Sequence, residues 1–165
     1  MIKDIIKVNL KSNPILEKVS LPVSDINEDI KQLCKDMLAT MLHNKGYGLS
    51  AIQIGVPLRV VVMDDSNPIF LINPKIVKKS DELISYKEGC LSIPKVFFRV
   101  DRPKTVTIEY LDIEGNEQTS VFTDFDSICI QHEIDHLNGV LMIDYSSSEL
   151  KRKQMIKKSR KKKYI

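Results

Sequence analysis

The stretch QHEIDHLNGV, residues 131–140, contains two histidines four positions apart, with a glutamate directly after the first. Residues four apart lie on the same face of an α-helix, so a helix here would project His132 and His136 together. Two imidazoles on one face can bind a metal ion, and a helical HExxH is found chiefly in zinc hydrolases. A working site of this kind usually needs a third protein ligand. The stretch therefore predicts a helical metal site and leaves its third ligand open.

Length and composition favour one folded domain over residues 1–165. Hydrophobic residues make up 42% of the chain and charged residues 28%, which is an ordinary balance for a globular protein. No apolar run approaches the ~20 residues that cross a bilayer, and Asp4 and Lys7 interrupt the start, so we expect no signal peptide, no membrane partner and a cytoplasmic location. We interpret the three cysteines as thiols or ligands and not as disulfides: Cys34, Cys90 and Cys129.

The net charge of +3 hides a strongly basic C-terminal tail. Nine of the 25 basic residues lie in residues 151–163, and no acidic residue follows Glu149. The remaining 16 basic residues face 22 acidic ones, so the body of the protein is acidic. Such a tail suits a polyanion such as ribosomal RNA, and we expect no DNA partner. A solvated terminal helix with a frayed end is the alternative.

The order of the predicted elements is typical of an α+β fold. Apolar residues at spacings of three and four predict a helix over 25–44, with Asp25 as its cap and Gly46 as its stop. We predict a second helix over 124–137, capped by Thr123 or Asp124, and a third over about 147–161. Between the first two helices, β-branched and apolar runs predict strands at 58–63, 69–71, 83–85, 105–111 and around 121–122. Because strands and helices do not alternate, we expect mixed or antiparallel strands packed around the HExxH helix.

The third metal ligand has to come from upstream of the histidines. A group of zinc enzymes continues the motif to a third histidine, but Met142 stands at that position, and Asp144 and Glu149 are too close to fold back. We expect the one other histidine, His43, to be a surface or cap residue. Cys90, in the stretch EGCLSIP at 88–94, is the candidate, because a thiolate binds Zn²⁺ or Fe²⁺ strongly. A free cysteine is more often a small buried apolar residue, so that alternative remains open.

A third stretch, GYGLSAIQIG at residues 46–55, combines two glycines with a polar residue among apolar neighbours. It lacks the third glycine of a dinucleotide-binding loop, and no predicted strand precedes it. Gln53 would need partners for its amide if buried. One use of that amide is to donate a hydrogen bond to a developing oxyanion.

These three stretches, in this order, resemble the motifs GxGxAAxQ, EGCLS and HExDH of the peptide deformylase family. The resemblance extends over almost the whole chain, and it implies the fold of that family. It also implies a bacterial or organellar enzyme that removes the formyl group from the N-terminal formylmethionine of nascent chains. The physiological ion would be Fe²⁺, with Zn²⁺, Ni²⁺ or Co²⁺ as substitutes. The implied metal ligands are Cys90, His132 and His136.

The resemblance also implies roles for residues around the metal. Glu133 would accept the proton of the metal-activated water and deliver it to the leaving amine. The side-chain amide of Gln53 and the backbone N–H of Leu91 would stabilise the oxyanion. Backbone groups in the glycine motif and before Cys90 would pair with the peptide as an added strand. The expected substrate-binding residues are Gly46, Tyr47, Gly48, Glu88, Gly89, Ile128 and Cys129.

Some of these assignments have structural alternatives. Ile128 and Cys129 share a helical face with His132, which suits either a methionine pocket or plain core. Glu88 would orient a ligand or nearby backbone, and Asp135 would support a ligand or be a surface charge. Ser50 replaces the usual first alanine of its motif, and its hydroxyl needs a partner.

Two rival functions remain on the sequence alone. An HExxH peptidase would keep the metal and the glutamate but cleave internal peptide bonds, and Met142 and the EGCLS stretch argue against it. A catalytically silent protein that uses its basic tail on ribosomal RNA is the second. Such a protein would tolerate loss of a ligand or of Glu133, whereas this chain retains them all. A tail that contacts the ribosome is also compatible with the enzyme.

Overall fold

The structure is a computed structural model that describes residues 1–10, 14–64 and 66–161. Its order of elements is a helix, a series of strands and a second helix, followed by a third helix near the C-terminus. This is the α+β arrangement that the sequence predicts. The last four residues of the predicted basic tail, 162–165, lie outside the described residues.

The first helix, α1, spans Glu28–His43 and covers one side of the main sheet. The predicted cap at Asp25 is wrong, because the Asn27 side chain accepts the N–H of Ile30 at 3.1 Å. The predicted stop at Gly46 is also wrong by one position. Lys45 takes the left-handed conformation with φ of +55°, and the Gly46 N–H then donates to the Met41 carbonyl. His43 is the exposed last residue of α1, as the sequence predicts.

Among the described residues, seven strands form two antiparallel sheets. Five of them pair in the order β1-β2-β3-β6-β7, and the other two, β4 and β5, form a separate hairpin. Their bounds are β1 Gly48–Ser50, β2 Val60–Met63, β3 Ile69–Lys79, β4 Leu83–Cys90, β5 Ile93–Pro103, β6 Thr105–Leu111 and β7 Glu117–Thr123. The predicted segment 105–111 is confirmed, whereas 69–71 and 83–85 are only the first residues of β3 and β4.

The strand β5 was not predicted, because prolines at positions 94 and 103 and several charges obscure its pattern. Its buried residues nevertheless alternate in the manner of a strand. Val96, Val100 and Arg102 are buried, while the residues between them are more exposed. Arg102 is therefore a charged residue at an inward-facing position of β5, and it contributes to the site described below.

The second helix, α2, spans Asp124–Leu137, as predicted. Thr123 occupies its N-cap position, but the Thr123 hydroxyl lies 3.1 Å from the Thr105 hydroxyl and makes no capping hydrogen bond. The helix is buried along most of its length and contacts β1, β2 and β7 of the main sheet and β5 of the hairpin. Gly139 ends the turn after α2 with φ of +73°, and a Cβ there would lie 2.4 Å from the Glu17 carbonyl oxygen. Because α2 contacts both sheets, its histidine motif lies in the interior between them.

The third helix, α3, spans Glu149–Arg160, slightly shorter than predicted, and Ser148 caps it by accepting the N–H of Lys151 at 3.3 Å. Ile156 packs with Ile93 and Val96 of β5 in one of the apolar clusters. Basic side chains cover its other faces. None of the helices in the described part of the chain has the length and apolar content needed to span a bilayer.

Candidate metal centre and its cavity

Cys90 and the two histidines of α2 meet at one point. Their donor atoms all lie within 4.8 Å of one another, and Cys90 Sγ is 3.3 Å from His136 Nε2. Cys90 is the last residue of β4, where the register with β5 shifts between Gly89 and Cys90. A bulge of this kind changes the direction of a side chain. The structure thus brings together the three residues that the resemblance implied as ligands.

Glu88 orients one of the imidazoles. Its Oε1 lies 2.8 Å from His132 Nδ1, and Arg102 Nη2 donates to the same carboxylate at 3.0 Å. Burial would raise the pKa of Glu88, but the hydrogen bonds from His132 and Arg102 hold it below its usual value. A charged carboxylate accepts from Nδ1–H, which leaves Nε2 of His132 free for a metal ion.

Asp135 acts on this arrangement through Arg102. Its Oδ2 accepts from Arg102 Nη1 at 2.8 Å and from the Tyr145 hydroxyl at 2.8 Å. The guanidinium of Arg102 also lies 5.1 Å from the centre of the Tyr145 ring, which is within cation–π range. Asp135 therefore supports the candidate ligand His132 indirectly, because it contacts Arg102, which in turn contacts Glu88.

His136 is held as a neutral imidazole. It is fully buried, and its Nδ1 finds no hydrogen-bond partner among the described residues. Burial lowers the pKa of His136, and the positive charge of Arg102 acts in the same direction. Two imidazoles and one thiol are a donor set that suits Zn²⁺, Fe²⁺ and similar ions, and neutral imidazole is the form that coordinates. The residues present therefore fit a divalent metal ion.

Glu133 lies beside the two histidines in a narrow space between α2 and β1. The Ser50 hydroxyl, which needed a partner, donates to Glu133 Oε2 at 2.6 Å, and burial raises the pKa of the carboxyl group. On the other side, a Cβ at Gly48 would lie only 2.7 Å from Glu133 Oε1. Ser50 and Gly48 together fix the position of this carboxylate.

Gln53 sits in a short 3₁₀ turn, Ala51–Ile54, that follows β1 directly, and it is 1% exposed. Its Oε1 accepts from the backbone N–H of Ser50 at 3.0 Å. Its Nε2 lies 3.2 Å from Ser92 Oγ and 3.8 Å from Cys90 Sγ. The amide group is therefore anchored by its oxygen and presents its nitrogen towards the thiol.

A cavity of ≈510 Å³ opens onto this cluster. Its walls include all the residues that the sequence proposed for substrate binding: Gly46, Tyr47, Gly48, Glu88, Gly89, Ile128 and Cys129. The prediction that these residues line one site is consistent with this geometry. Their contacts with a peptide stay a prediction.

An aromatic wall of the cavity was missed in the sequence. Phe125 packs against Tyr47 with ring centres 4.9 Å apart and against Tyr86 at 5.5 Å, and the Tyr47 hydroxyl donates to Asp126 at 2.7 Å. Helical spacing could have indicated Phe125, because it precedes Cys129 by four residues. Strand alternation could have indicated Tyr86, because it precedes Glu88 by two.

Replacing Gly48 by alanine is expected to displace Glu133, because the added Cβ would lie 2.7 Å from Oε1. If Glu133 has the catalytic role that the resemblance implies, a displacement of about 1 Å can cost about 100-fold in rate, and we expect a loss of that order in kcat. The backbone of Gly48 does not have positive φ, so the fold should tolerate alanine. Steady-state kinetics and thermal unfolding check this, with Thr119→Ala, at an exposed position of β7, as a control away from the cavity. A kcat within threefold of wild type would contradict it.

An α+β fold that places one thiol, two imidazoles and a buried carboxylate around a cavity is typical of metal-dependent hydrolases. Comparison with known proteins gives the particular family. Residues 2–152 match the family model described as polypeptide deformylase. A peptide deformylase of Rhizobium meliloti is 49% identical over 152 residues, covering 88% of this chain and 87% of the relative.

Solved structures agree with this match. The crystal structure of peptide deformylase from Ehrlichia chaffeensis in complex with actinonin superimposes with a TM-score of 0.91 at 38% identity, covering 99% of each chain. A Met-Ala-Ser-bound deformylase from Acinetobacter baumannii gives 0.83 at 31% identity, covering 88% of this chain and 99% of that one. The chain belongs to the polypeptide deformylase family. It is an enzyme that removes the formyl group from the N-terminal formylmethionine of polypeptides.

Proposed function

We propose that the chain performs this hydrolysis with a divalent ion held by Cys90, His132 and His136, and that Fe²⁺ is the physiological ion. The observation that carries the proposal is the approach of the three donor atoms to within 4.8 Å of one another. A thiolate donates more charge than imidazole and favours softer ions, which supports Fe²⁺ among those available in cells. Zn²⁺, Ni²⁺ and Co²⁺ are expected to substitute.

The ion would supply Lewis acidity and, by lowering the pKa of water, a hydroxide nucleophile near neutral pH. Glu133 would move the proton. Its Oε2 is occupied by the Ser50 hydroxyl, whereas Oε1 faces Gly48, which lines the cavity. Oε1 would accept the proton released from water and transfer it to the α-nitrogen as the bond between the formyl carbon and that nitrogen breaks. The products are formate and a free amine.

Gln53 and Leu91 would stabilise the oxyanion that forms on the formyl carbon. The Gln53 Nε2 lies 3.8 Å from Cys90 Sγ, and Leu91 directly follows Cys90 in the chain, so both donors are near the ligand cluster. Loss of one such donor typically costs about 3 kcal/mol of transition-state stabilisation. The rest of the peptide would pair with backbone groups near Gly48 and Gly89, and its methionine side chain would enter the apolar part of the cavity. Aromatic rings there can make favourable contacts with a thioether sulfur.

The direct test is anaerobic formate release from formyl-Met-Ala-Ser, with unblocked Met-Ala-Ser supplied in parallel and metal content determined on the same samples. We expect formate in proportion to bound metal and no cleavage of either peptide backbone. Backbone cleavage would favour the peptidase instead. Adding Fe²⁺, Zn²⁺, Ni²⁺ or Co²⁺ to the metal-free protein and measuring formate release ranks the ions by the activity they restore. A higher activity with Zn²⁺ than with Fe²⁺ would overturn the iron assignment.

We also propose that the basic face of α3 contacts the ribosome, in the bacterial cytoplasm or in an organelle, where nascent chains carry formylmethionine. Deletion of residues 151–165 would be a poor test, because Ile156 and Ser159 of this segment are buried. Replacing the exposed Lys151, Lys153, Lys157 and Lys158 by glutamine keeps the buried side of the helix.

The variant with these four lysines replaced is expected to bind ribosomes at least about tenfold more weakly at low salt. Each lysine that is lost removes a phosphate contact and, with it, the counterion release that favours binding. Turnover of formyl-Met-Ala-Ser should stay within twofold of wild type. Sedimentation with ribosomes at several salt concentrations measures the first, and formate release the second. A control variant carries glutamine at four exposed lysines elsewhere: Lys18, Lys35, Lys75 and Lys79. Equal, salt-independent binding of both variants would contradict the ribosome contact.

A further inference from the structure

Residues 6–8 cross between the two loops that carry the proposed oxyanion donors. The Ile6 N–H donates to the Gln53 carbonyl at 2.8 Å, and the Val8 N–H donates to the Ser92 carbonyl at 2.9 Å. Val8 is fully buried in the apolar cluster that also contains Ile93. Because both loops bond to the same three-residue segment, their separation is fixed by the length of that segment.

The Lys7 side chain adds a third connection between this segment and the loop after Cys90. Its ammonium group donates to the Leu91 carbonyl at 2.7 Å, and the residue lines the cavity. A hydrogen bond from a charged donor is shorter and roughly twice as strong as a neutral one. Lys95, another lysine of the cavity wall, donates instead to the Lys161 carbonyl at the end of α3. Lys7 is thus bound to the turn that carries Leu91.

This contact restrains the backbone of Leu91. The carbonyl of Leu91 and its N–H belong to adjacent peptide planes that meet at the same Cα, so with the carbonyl held only the φ and ψ rotations of Leu91 can still reorient the N–H. The Leu91 side chain is held as well, because its Cδ1 lies 2.8 Å from where a Cβ would stand on Gly46. Leu91 is therefore restrained by Lys7 at its carbonyl and by close packing against Gly46 at its side chain.

The ammonium group also places positive charge on the side of the cavity where the oxyanion is proposed to form. Burial lowers the pKa of Lys7, and the nearby Cys90 opposes that shift. Lys7 lines the same cavity as Cys90, and its ammonium group is held at the carbonyl of Leu91, the residue directly after Cys90. A fixed cation near a developing negative charge stabilises the transition state more than the uncharged substrate.

We propose that Lys7 is a positioning residue for deformylation, which acts through Leu91 to keep the backbone N–H aimed at the oxyanion and which adds positive charge beside it. The inference rests on the proposed function, because it assigns Leu91 N–H as an oxyanion donor. Lys7 lies outside the three motifs that carry the resemblance to the family, so those motifs gave no reason to consider it.

The first test compares Lys7→Met with Lys7→Arg and with a control variant, Lys35→Met, at an exposed position of α1. We expect kcat of Lys7→Met for formyl-Met-Ala-Ser to fall about tenfold, less than the 10²–10³-fold loss when an oxyanion donor itself is removed. KM should change by less than about twofold, because the contact matters mainly in the transition state. Lys7→Arg should recover most of kcat, and Lys35→Met should match wild type. If Lys7→Met does not fold, Lys7→Gln serves in its place.

A second readout separates positioning from general stability. Amide hydrogen exchange of Leu91 in the metal-free protein should be faster in Lys7→Met than in Lys35→Met, at equal melting temperature. In a double-mutant cycle with Gln53→Ala, the two losses in kcat should be less than multiplicative, because both variants damage one oxyanion site. An unchanged kcat in Lys7→Met, no recovery by Lys7→Arg, or multiplicative losses would overturn the inference. If wild type itself releases no formate, the proposed function fails instead.

Discussion

Replacing Glu133 by glutamine is expected to lower kcat for formyl-Met-Ala-Ser by about 10²–10⁴-fold, the range that a positioned general acid–base supplies. Glutamine has nearly the same shape as glutamate, but it cannot accept a proton from water and return it to the amine. The Ser50 hydroxyl, which donates to Oε2 at 2.6 Å, can donate equally to an amide oxygen. The local packing should therefore survive while the proton transfer is lost.

The measurement is anaerobic formate release with metal content determined on the same protein. We expect one metal ion per chain in both proteins, since Glu133 is not among the three residues whose donor atoms cluster. Glu109→Gln, on an exposed position of β6, is the matched control for the loss of one carboxylate. A Glu133→Gln enzyme that retains kcat within tenfold of wild type would show that another group carries the proton.

The parts of the fold that follow a single periodicity could be predicted from the sequence. β6 has the predicted bounds, because its apolar residues alternate towards the core. The second helix also has the predicted bounds, although it is buried along most of its length and includes buried polar residues. The hairpin strand β5 could not be found in this way, since prolines stand near both its ends and a charged residue, Arg102, occupies an inward position. That charge is stable there only because Glu88 and Asp135 contact it, and such partners are not visible from local sequence.

The candidate site was predictable to the extent that its chemistry is local. Two histidines on one helical face and a cysteine before a bend are patterns of neighbouring residues, and the family resemblance gave their combination. The contact of Glu88 with His132 agrees with the prediction that Glu88 orients a ligand. The further support of Glu88 by Arg102, and of Arg102 by Tyr145, was not predictable, because it joins β4, β5 and the 3₁₀ turn Met142–Tyr145. The contact between Lys7 and Leu91 spans 84 positions of the chain. Contacts of this kind depend on the tertiary fold and not on any local motif.

Replacing Cys90 by serine is expected to weaken metal binding by at least about 100-fold, which corresponds to roughly 2.7 kcal/mol. A serine hydroxyl is a harder and less charged donor than a thiolate, so it is a poorer third ligand for Fe²⁺ or Zn²⁺. Deformylation should fall with metal occupancy, since His132 and His136 alone leave the ion with two protein ligands. Cys129→Ser is the matched control, because Cys129 lines the same cavity but is not part of the donor cluster.

Thermal unfolding supplies a readout that does not depend on activity. Metal at about 100 times its dissociation constant stabilises the folded state by about 2.7 kcal/mol, which for a chain of this size shifts Tm by roughly 5–10 °C. A chelator should remove this shift from wild type and from Cys129→Ser, and it should have little effect on Cys90→Ser. If Cys90→Ser keeps one tightly bound ion and its chelator-sensitive Tm, the sulfur is not a ligand, and a different group completes the coordination of the ion by the two histidines.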